Sequence, residues 1–354
     1  MELQALLQRA VELSASDLFL IAGSPPAHRK DSVVVTDGEE PLAVTEVERL
    51  VREIYALTNN RPIERLLERG EDDFSFSLPG VGRFRANAFR QRGSLAAVVR
   101  VVMFNLPNFQ NLSIPSCVMD LTEYTKGLVL ITGPAGSGKS TTLACLVDKI
   151  NEERANHIIT MEDPIEFIHR HKQSIVTQRE INNDTHTYAS ALRAGLRQSP
   201  DVILVGEMRD LDTIEIAMTA AETGQLVLST LHTMGAANTI NRILDIFPPG
   251  QQQQIRVQLS MVLQAVVSQQ LVPSVEGPLL PVFEIMLPNP AIRNMIRENN
   301  IHQINSAIYA GMASGMVTMD QSILNLYNAG KITADTALKH CVNLNEMQKK
   351  IEGQ

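Results

Sequence analysis

The chain of 354 residues contains no tryptophan and only three cysteines, Cys117, Cys145 and Cys341. Because the cysteines are far apart and odd in number, they build neither a disulfide framework nor a paired Cys-x-x-Cys metal site within one chain. We expect them to be reduced and buried. The absence of tryptophan, in a chain with 4% aromatic residues, also counts against the stacking surface with which proteins bind single-stranded nucleic acid.

Long apolar runs and an excess of basic residues are absent too. No stretch reaches the ~18 apolar residues that a membrane span needs, and the start, MELQALLQRA, lacks the pattern of a signal peptide. The net charge of −8 argues against a broad basic groove for nucleic acid. With 44% hydrophobic and 20% charged residues, we expect a cytosolic globular protein that does not bind nucleic acid directly.

The length predicts two domains. Residues 1–100 resemble a small α+β domain in their pattern, and 101–115, which include the irregular stretch from Phe104 to Pro115, are the predicted linker. In residues 116–354 apolar runs alternate with helical stretches, which predicts an α/β fold with a mostly parallel sheet covered by helices. The predicted elements are strands 127–132, 157–162, 202–206 and 226–231, helices 138–152, 186–198 and 211–223, a helical run 250–271, a strand near 281–287, and a mainly helical part within 275–354.

A complete phosphate-binding loop follows the first of these strands. Its glycines allow the backbone N–H groups to surround a triphosphate closely, and the following helix adds its dipole. Lys139 would reach the β- and γ-phosphates, and the Ser140 hydroxyl would bind Mg²⁺. Thr142 is predicted to extend the donors, while the alternative is a flexible glycine loop without a ligand. The loop consists of Gly133, Pro134, Ala135, Gly136, Ser137, Gly138, Lys139, Ser140 and Thr141.

Carboxylates follow the next apolar strand. Glu162, Asp163 and Glu166 lie within five residues, at the edge where open α/β sheets bind ligands. Mg²⁺ and an attacking water both need such oxygens. The alternative is an exposed acidic turn.

Two further strands end in polar residues. One ends in Gly206-Glu207, so Glu207 is the predicted carboxylate on the Mg²⁺ side of the site. Arg209 and Asp210, which follow it, either act in the site or cap the next helix. The other ends at His232, which would sense the γ-phosphate or polarise water unless it is simply structural.

These four elements, in this order, resemble the motor core of the type II/IV secretion ATPase superfamily. Further segments are similar to its PilT type, the type IV pilus retraction ATPases of twitching motility. These segments are Ser16-Asp17-Leu18, Gly82-Arg83-Phe84-Arg85, Gln91-Arg92, Gly206-Glu207-Met208-Arg209-Asp210 and Ala291-Ile292-Arg293-Asn294-Met295-Ile296-Arg297-Glu298. The pilus-assembly and secretion relatives usually carry a four-cysteine zinc module, which three scattered cysteines cannot supply.

The resemblance implies a PAS-like N-terminal domain, a RecA-like ATPase domain and a homohexameric ring. It implies that Glu166 activates water, that arginines act in trans on a neighbouring subunit's nucleotide, and that the helix from Ala291 to Glu298 serves retraction. Ala291, Ile292, Met295 and Ile296 of that helix are expected to face a core, with the other residues solvated. The candidate trans arginines, chosen as strand residues without nearby acids, are Arg83, Arg85, Arg90, Arg92 and Arg100.

One position departs from the family. The first of its two histidines is Gln225 here, which carries no charge, so that His232 alone keeps the nucleotide-sensing role.

Together these features predict an ATP- and Mg²⁺-dependent motor that retracts a type IV pilus. It would lie in the cytoplasm at the inner face of the membrane and act on an inner-membrane platform protein and, indirectly, on the pilin filament. The alternatives are a pilus-assembly or secretion ATPase, a RecA-like nucleic-acid translocase and a nucleotide-binding regulator that does not hydrolyse ATP.

Overall fold

The structure is a computed structural model that describes residues 2–30, 33–58, 61–102, 106 and 109–353. Contacts divide the chain into two compact units. Unit 1 comprises Met1–Leu106, Pro164–Ile168 and Asn182–Asp184, and unit 2 comprises Pro107–Asp163, His169–Ile181 and Thr185–Gln354. Part of the predicted linker, positions 103–105, 107 and 108, lies outside the described residues, and its described part contains a short 3-10 helix, Phe109–Leu112.

Unit 1 is an antiparallel sheet in the order β3-β2-β1-β6-β5-β4, covered by helices. Its elements are α1 (Leu3–Glu12), β1 (Asp17–Leu20), β2 (Ala27–Lys30), β3 (Val33–Thr36), α2 (Val44–Ala56), α3 (Glu64–Arg69), β4 (Glu71–Leu78), β5 (Gly82–Gln91) and β6 (Ser94–Val102). Side chains alternate along β5, where Phe84, Ala86 and Ala88 are buried and the residues between them are half-buried. The apolar stripes of α1 and α2 pack into the same core.

Unit 2 is built on a seven-stranded sheet in the order β13-β12-β7-β11-β10-β8-β9. Its strands are β7 (Gly127–Thr132), β8 (His157–Glu162), β9 (Ile175–Glu180), β10 (Val202–Val205), β11 (Leu226–Leu231), β12 (Leu263–Val272) and β13 (Leu280–Met286). Its helices are α4 (Ser116–Met119), α5 (Lys139–Glu153), α6 (Tyr188–Gly195), α7 (Leu211–Thr223), α8 (Ala236–Asp245), α9 (Pro249–Val262), α10 (Pro290–Arg297), α11 (Ile304–Ala310), α12 (Met319–Asn328), α13 (Ala334–His340) and α14 (Leu344–Glu352).

All neighbouring strands of this sheet are parallel except the pair β12–β13. The central strands β7, β10 and β11 are buried along their whole length, since separate apolar cores cover the two faces of the sheet. The predicted α/β class is therefore confirmed. Because the strands run in one direction, the residues that follow β7, β8, β10 and β11 meet at one edge of the sheet.

The prediction of one helix over 250–271 is wrong. Helix α9 ends at Val262, and β12 begins at Leu263, pairs in parallel with β7 and continues to Val272. The residues of β12 are mixed in local preference, and pairing with β7 on one side and β13 on the other decides in favour of a strand.

In the described part of the chain, no helix is long and apolar enough to cross a membrane.

A buried charge pair ties the end of α2 to strand β4 in unit 1. Arg61 donates to Asp72 through Nε and Nη2, at 2.7 and 2.6 Å, and the Tyr55 hydroxyl donates to the same carboxylate at 2.9 Å. The Arg61 guanidinium also lies 5.0 Å above the Phe74 ring. Burial alone would raise the pKa of Asp72, but the hydrogen bonds from Arg61 and Tyr55 outweigh it and lower that pKa below its usual 3.8.

We expect Asp72→Asn to lower the free energy of unfolding of unit 1 by about 3 kcal/mol at pH 7, because Arg61 stays buried without its charged partner. Since the pKa of Asp72 is depressed, its contribution is complete above pH 3.8 and is lost as the pH falls through the lower folded value, so the difference from wild type should shrink in acid. Urea unfolding read by hydrogen exchange in β4 and β5 measures this. The control is Glu48→Gln, in an exposed pair with Arg52, with a loss below about 1 kcal/mol; equal losses would contradict the expectation.

Candidate functional site

The phosphate loop lies where β7 ends and α5 begins. Gly133, Gly136 and Gly138 have φ angles of 139°, 74° and 87°, which residues with a Cβ rarely adopt. Helix α5 begins at Lys139, so the N–H groups of its first turn lack partners within the helix and lie at the loop. The local sequence therefore builds an anion site from backbone alone.

Two of the glycines are also required by close packing. A Cβ at Gly133 would lie 2.0 Å from the carbonyl oxygen of Gln269, and a Cβ at Gly138 would lie 2.8 Å from Gln269 Nε2. Gln269 is a site residue that the sequence did not reveal, because it falls in the segment predicted as helix.

The polar side chains in and after the loop differ in their hydrogen-bond partners. Lys139 Nζ donates to the carbonyl oxygens of Gly133 and Pro134, at 2.9 and 2.8 Å, so its charge stays at the loop. The Ser137 hydroxyl is buried and has no hydrogen-bond partner within the described chain. Thr142 does not extend the phosphate donors as predicted, because its buried hydroxyl donates to Gln269 Oε1 at 2.8 Å.

A cavity of about 280 Å³ opens beside the loop within unit 2. Gly138, Thr141 and Gln269 line one side, and residues 111–114 and 278–281 line the rest. Its mixed lining and its size, near the lower end of the usual range for ligand pockets, suit a small organic group.

His232 follows β11 next to the start of the loop. The Gly133 N–H donates to the Leu231 carbonyl at 3.3 Å, and the strand register places Leu231 opposite Thr132. Glu207 joins this edge from β10, and its carboxylate lies 3.4 Å from His232 Nε2 and 2.6 Å from Arg209 Nε. The structure thus brings together the loop, Glu207 and His232 at one edge of the sheet.

Of the two roles considered for residues 209 and 210, helix capping and a place in the site, the structure gives one to each residue. Asp210 caps α7, since its carboxylate accepts from the N–H and the hydroxyl of Thr213. Arg209 is exposed and pairs with Glu207 instead, so it belongs to the charged cluster.

Glu162 and Asp163 end β8 on the same edge, beside Tyr188, a residue that the sequence gave no reason to select. Glu162 accepts from the Thr160 hydroxyl at 2.6 Å. Burial, and then the charges of Glu207, Asp163 and Glu162, raise the pKa of Tyr188, which therefore stays a neutral phenol. Its hydroxyl would lie 2.9 Å from a Cβ at Gly206, which explains the glycine before Glu207.

Glu166, the third carboxylate of the acidic segment, is exposed and belongs to unit 1 with Pro164–Ile168. Glu162 and Asp163 belong to unit 2. The water-activating role of Glu166 stays a prediction.

Among the described residues there is no group of three or more His, Cys, Asp or Glu side chains that would hold a metal ion by itself. Mg²⁺ in phosphate sites keeps water and phosphate oxygens and takes only one or two protein ligands. The exposed Ser140 at the start of α5 and the Glu207 carboxylate have the right chemistry for those ligands.

Acidic partners lie beside Arg100 and Arg85, which are among the candidate trans arginines, contrary to the expectation. Arg100 lies opposite Asp17 in the register of β1 and β6 and pairs with it at 3.0 Å, and Arg85 lies 3.7 Å from Asp73. Cross-strand pairing, invisible in the sequence, brings these acids close. Arg92 lies in the turn after β5 with a φ of 47°, not on a strand. Arg83 and Arg90 are in β5.

The predicted retraction helix is observed as α10, capped by Asn289. Ile292 and Ile296 are buried and Met295 packs against the core, but Ala291 is exposed because it lies in the first turn, ahead of the packed part. Arg293 is not simply solvated either. It donates to the carbonyls of Ser260 and Met261 at the end of α9 and to Gln264 Oε1, so its guanidinium caps that helix.

Gln225 lies just before the first residue of β11, whereas His232 lies just after its last residue, so the two positions flank opposite ends of the same strand. Gln225 Oε1 accepts from the Thr223 hydroxyl at 2.9 Å. The six residues of β11, Leu226–Leu231, separate the two positions by about 20 Å. A histidine at position 225 would therefore lie far from the phosphate loop.

Comparison with known proteins gives a consistent result. Residues 2–314 match the model of the family described as type II/IV secretion system protein. The chain is 44% identical to the type IV pilus retraction ATPase PilT of Pseudomonas aeruginosa, over 95% of this chain and 97% of that protein. It is 50% identical to a twitching motility protein of Neisseria gonorrhoeae over 78% of this chain and 74% of that one.

A crystal structure described as the pilus retraction motor PilT with bound ADP superposes with a TM-score of 0.91, at 46% identity and 99% coverage of both chains. This similarity includes unit 1 as well as the ATPase-like unit 2, so the resemblance inferred from the motifs is confirmed. The chain belongs to the type II/IV secretion system protein family and is similar to its pilus-retraction members over nearly its whole length.

Proposed function

We propose that this chain is an ATP-hydrolysing motor subunit that drives the retraction of a type IV pilus in twitching motility. The observation that carries the proposal is the phosphate loop with Lys139, which lies at the same edge of the sheet as Glu207 and His232. The chain is also similar along its length to a retraction ATPase. A sheet edge with a fixed anion cradle and adjacent carboxylates is suited to phosphoryl transfer.

The nucleotide would bind with its phosphates on the loop residues Gly133–Thr141 and with its nucleoside part in the adjoining cavity. Lys139 would neutralise the β- and γ-phosphates, because its Nζ already lies at the loop, where it donates to the carbonyl oxygens of Gly133 and Pro134. The buried Ser137 hydroxyl lies within this cradle as a further donor. Bound ADP in the related PilT structure supports nucleotide binding by this chain.

Mg²⁺, held by Ser140 and Glu207, would supply the charge that neutralises the phosphate oxygens during transfer. Glu166 would orient or deprotonate the attacking water, with Glu162 and Asp163 shaping the acidic edge. Arginines of a neighbouring subunit would stabilise the transition state. The candidates are Arg83, Arg85, Arg90, Arg92 and Arg100; Arg85 and Arg100 also pair with acids in unit 1, and Arg92 lies in a turn.

The assembly that fits this chemistry is a homohexameric ring whose PAS-like units supply the arginines and whose RecA-like units hold the nucleotide. The ring would act from the cytoplasm on an inner-membrane platform protein and so withdraw pilin subunits. Each unit has a core of its own, which suits a motor that moves its domains as bodies.

We expect Lys139→Ala and Glu166→Gln each to reduce steady-state ATP hydrolysis at saturating ATP by about 100-fold or more. Lys139→Ala removes the ammonium that neutralises the phosphates, and Glu166→Gln removes the carboxylate that activates the attacking water. Lys149→Ala in α5, whose ammonium binds the Met119 carbonyl, and Glu153→Gln at the exposed end of α5 are the matched controls and should turn over like wild type. Normal hydrolysis by either site variant would refute the mechanism.

The retraction helix allows hydrolysis and force to be separated. We expect Arg297→Ala, on the partly exposed face of α10, to leave ATP hydrolysis within about twofold of wild type while pilus retraction stops. Ile292→Ala is the structural comparison, because removing this buried side chain should cost about 2–5 kcal/mol and reduce both activities. Equal loss of hydrolysis and retraction in Arg297→Ala would leave α10 with a purely structural role.

The direction of force is tested in cells that carry this protein. We expect disruption of its gene to leave surface pili in excess and to stop twitching, because filaments are still assembled but not withdrawn. Complementation with Lys139→Ala is expected to leave the same phenotype. A disrupted strain without any pili would instead assign the chain to pilus assembly.

A further inference from the structure

Strand β12 carries three consecutive buried polar residues, Ser268, Gln269 and Gln270. Buried polar groups in a strand between two other strands are costly unless they are hydrogen-bonded. Here each of the three side chains contacts a different part of unit 2.

Gln269 contacts both ends of the phosphate loop. Its carbonyl oxygen lies against Gly133, the first residue of the loop, and its side-chain Nε2 lies against Gly138, the residue before α5. Its Oε1 accepts a hydrogen bond from the hydroxyl of Thr142, in the first turn of α5, at 2.8 Å. One residue of a neighbouring strand therefore fixes the separation between the two ends.

Ser268 and Gln270 lie on the opposite face of β12 from Gln269, because side chains alternate along a strand. The Ser268 hydroxyl accepts from the Gly235 N–H at 2.9 Å, in the turn that follows His232. Gln270 exchanges hydrogen bonds with His340 at the end of α13, at 3.1 and 3.2 Å.

Glu284 completes this arrangement. It lies opposite Ser268 in the register of β12 and β13 and accepts from the Ala236 N–H at 2.7 Å, so both strands hold the start of α8.

We propose that Gln269 is a positioning residue for nucleotide binding and hydrolysis, which holds the phosphate loop in the conformation that receives the phosphates. The inference rests on the proposed ATPase function. Backbone N–H groups converge on a phosphate only if the two ends of the loop keep their separation, and Gln269 sets that separation. It touches the loop and α5 and not the reacting atoms, so it acts through them.

The chemistry of the amide fits this role. Leucine at position 269 would remove the acceptor of Thr142 and leave a buried hydroxyl unsatisfied. Glutamate would keep an acceptor but would bring a negative charge against Gly138, beside the phosphates. The glutamine amide provides the acceptor for Thr142 and places an uncharged NH₂ group against Gly138.

The test measures the binding of ADP by titration calorimetry and, separately, steady-state hydrolysis, using the full chain. We expect Gln269→Leu to weaken ADP binding and to raise KM for ATP, each by about tenfold, with kcat changed by less than about threefold, because the loop binds ground state and transition state alike. Gln269→Glu should weaken ADP binding at least as much, and it serves where the leucine variant does not fold.

Gln270→Leu is the matched control, since Gln270 has similar burial in the same strand but its bonds lead to α13 and not to the loop. It should bind ADP as wild type does. The double variant Gln269→Leu with Thr142→Val should recover part of the lost affinity, because it removes both partners of one hydrogen bond.

Wild-type ADP affinity in a folded Gln269→Leu or Gln269→Glu variant would overturn the proposal, as would an equal loss in Gln270→Leu. A wild-type protein that binds ADP but does not hydrolyse ATP would overturn the proposed function alone, since the ADP titrations would still measure what Gln269 does.

Discussion

The parallel pairing of β12 with β7 is the contact on which the candidate nucleotide site depends. The register that sets Ser268 opposite Thr132 also brings the Gln269 carbonyl so close to Gly133 that no side chain fits there. Gly133 and Gly138 are therefore required for two reasons, since their positive φ angles and their contact with Gln269 of β12 both exclude a Cβ. Removing this pairing would leave the loop with the right sequence but without a support for its shape.

The sequence predicted the strands that carry the site because their signals are local. β7, β8 and β11 are short, mostly apolar runs followed by polar residues, and the bounds predicted for them agree with the structure. The prediction from the sequence was wrong at β12, and the reason is physical. No glycine or proline separates Gln251 from Val272, so nothing in the sequence marks the end of α9 at Val262. Only the presence of β7 and β13 makes residues 263–272 a strand, and local propensity does not contain that information.

Contacts made across the sheets were equally beyond the sequence. The pairing of Arg100 with Asp17 follows from the register of two strands that are about 80 residues apart in the chain, and no spacing rule reveals it. The same holds for Tyr188, which gains its importance from three carboxylates that approach it from β8 and β10. Motifs identify the residues that do chemistry, whereas the residues that hold them in place become visible only once the strands are paired.

The departure at Gln225 shows how geometry decides what a motif position can do. In a pair of parallel strands, residues at equal register stay side by side, so that Gly127 with Leu226 marks one edge and Thr132 with Leu231 marks the other. The phosphate loop and His232 continue from the second edge, while Gln225 precedes the first, where its carbonyl accepts from the Gly127 N–H. A charge at position 225 would be separated from the phosphates by the length of β7, about 20 Å, which exceeds the Debye length of roughly 8 Å at physiological ionic strength. A neutral residue there leaves the electrostatics of the loop unchanged, and the Glu207–His232 contact at the loop edge does not depend on it.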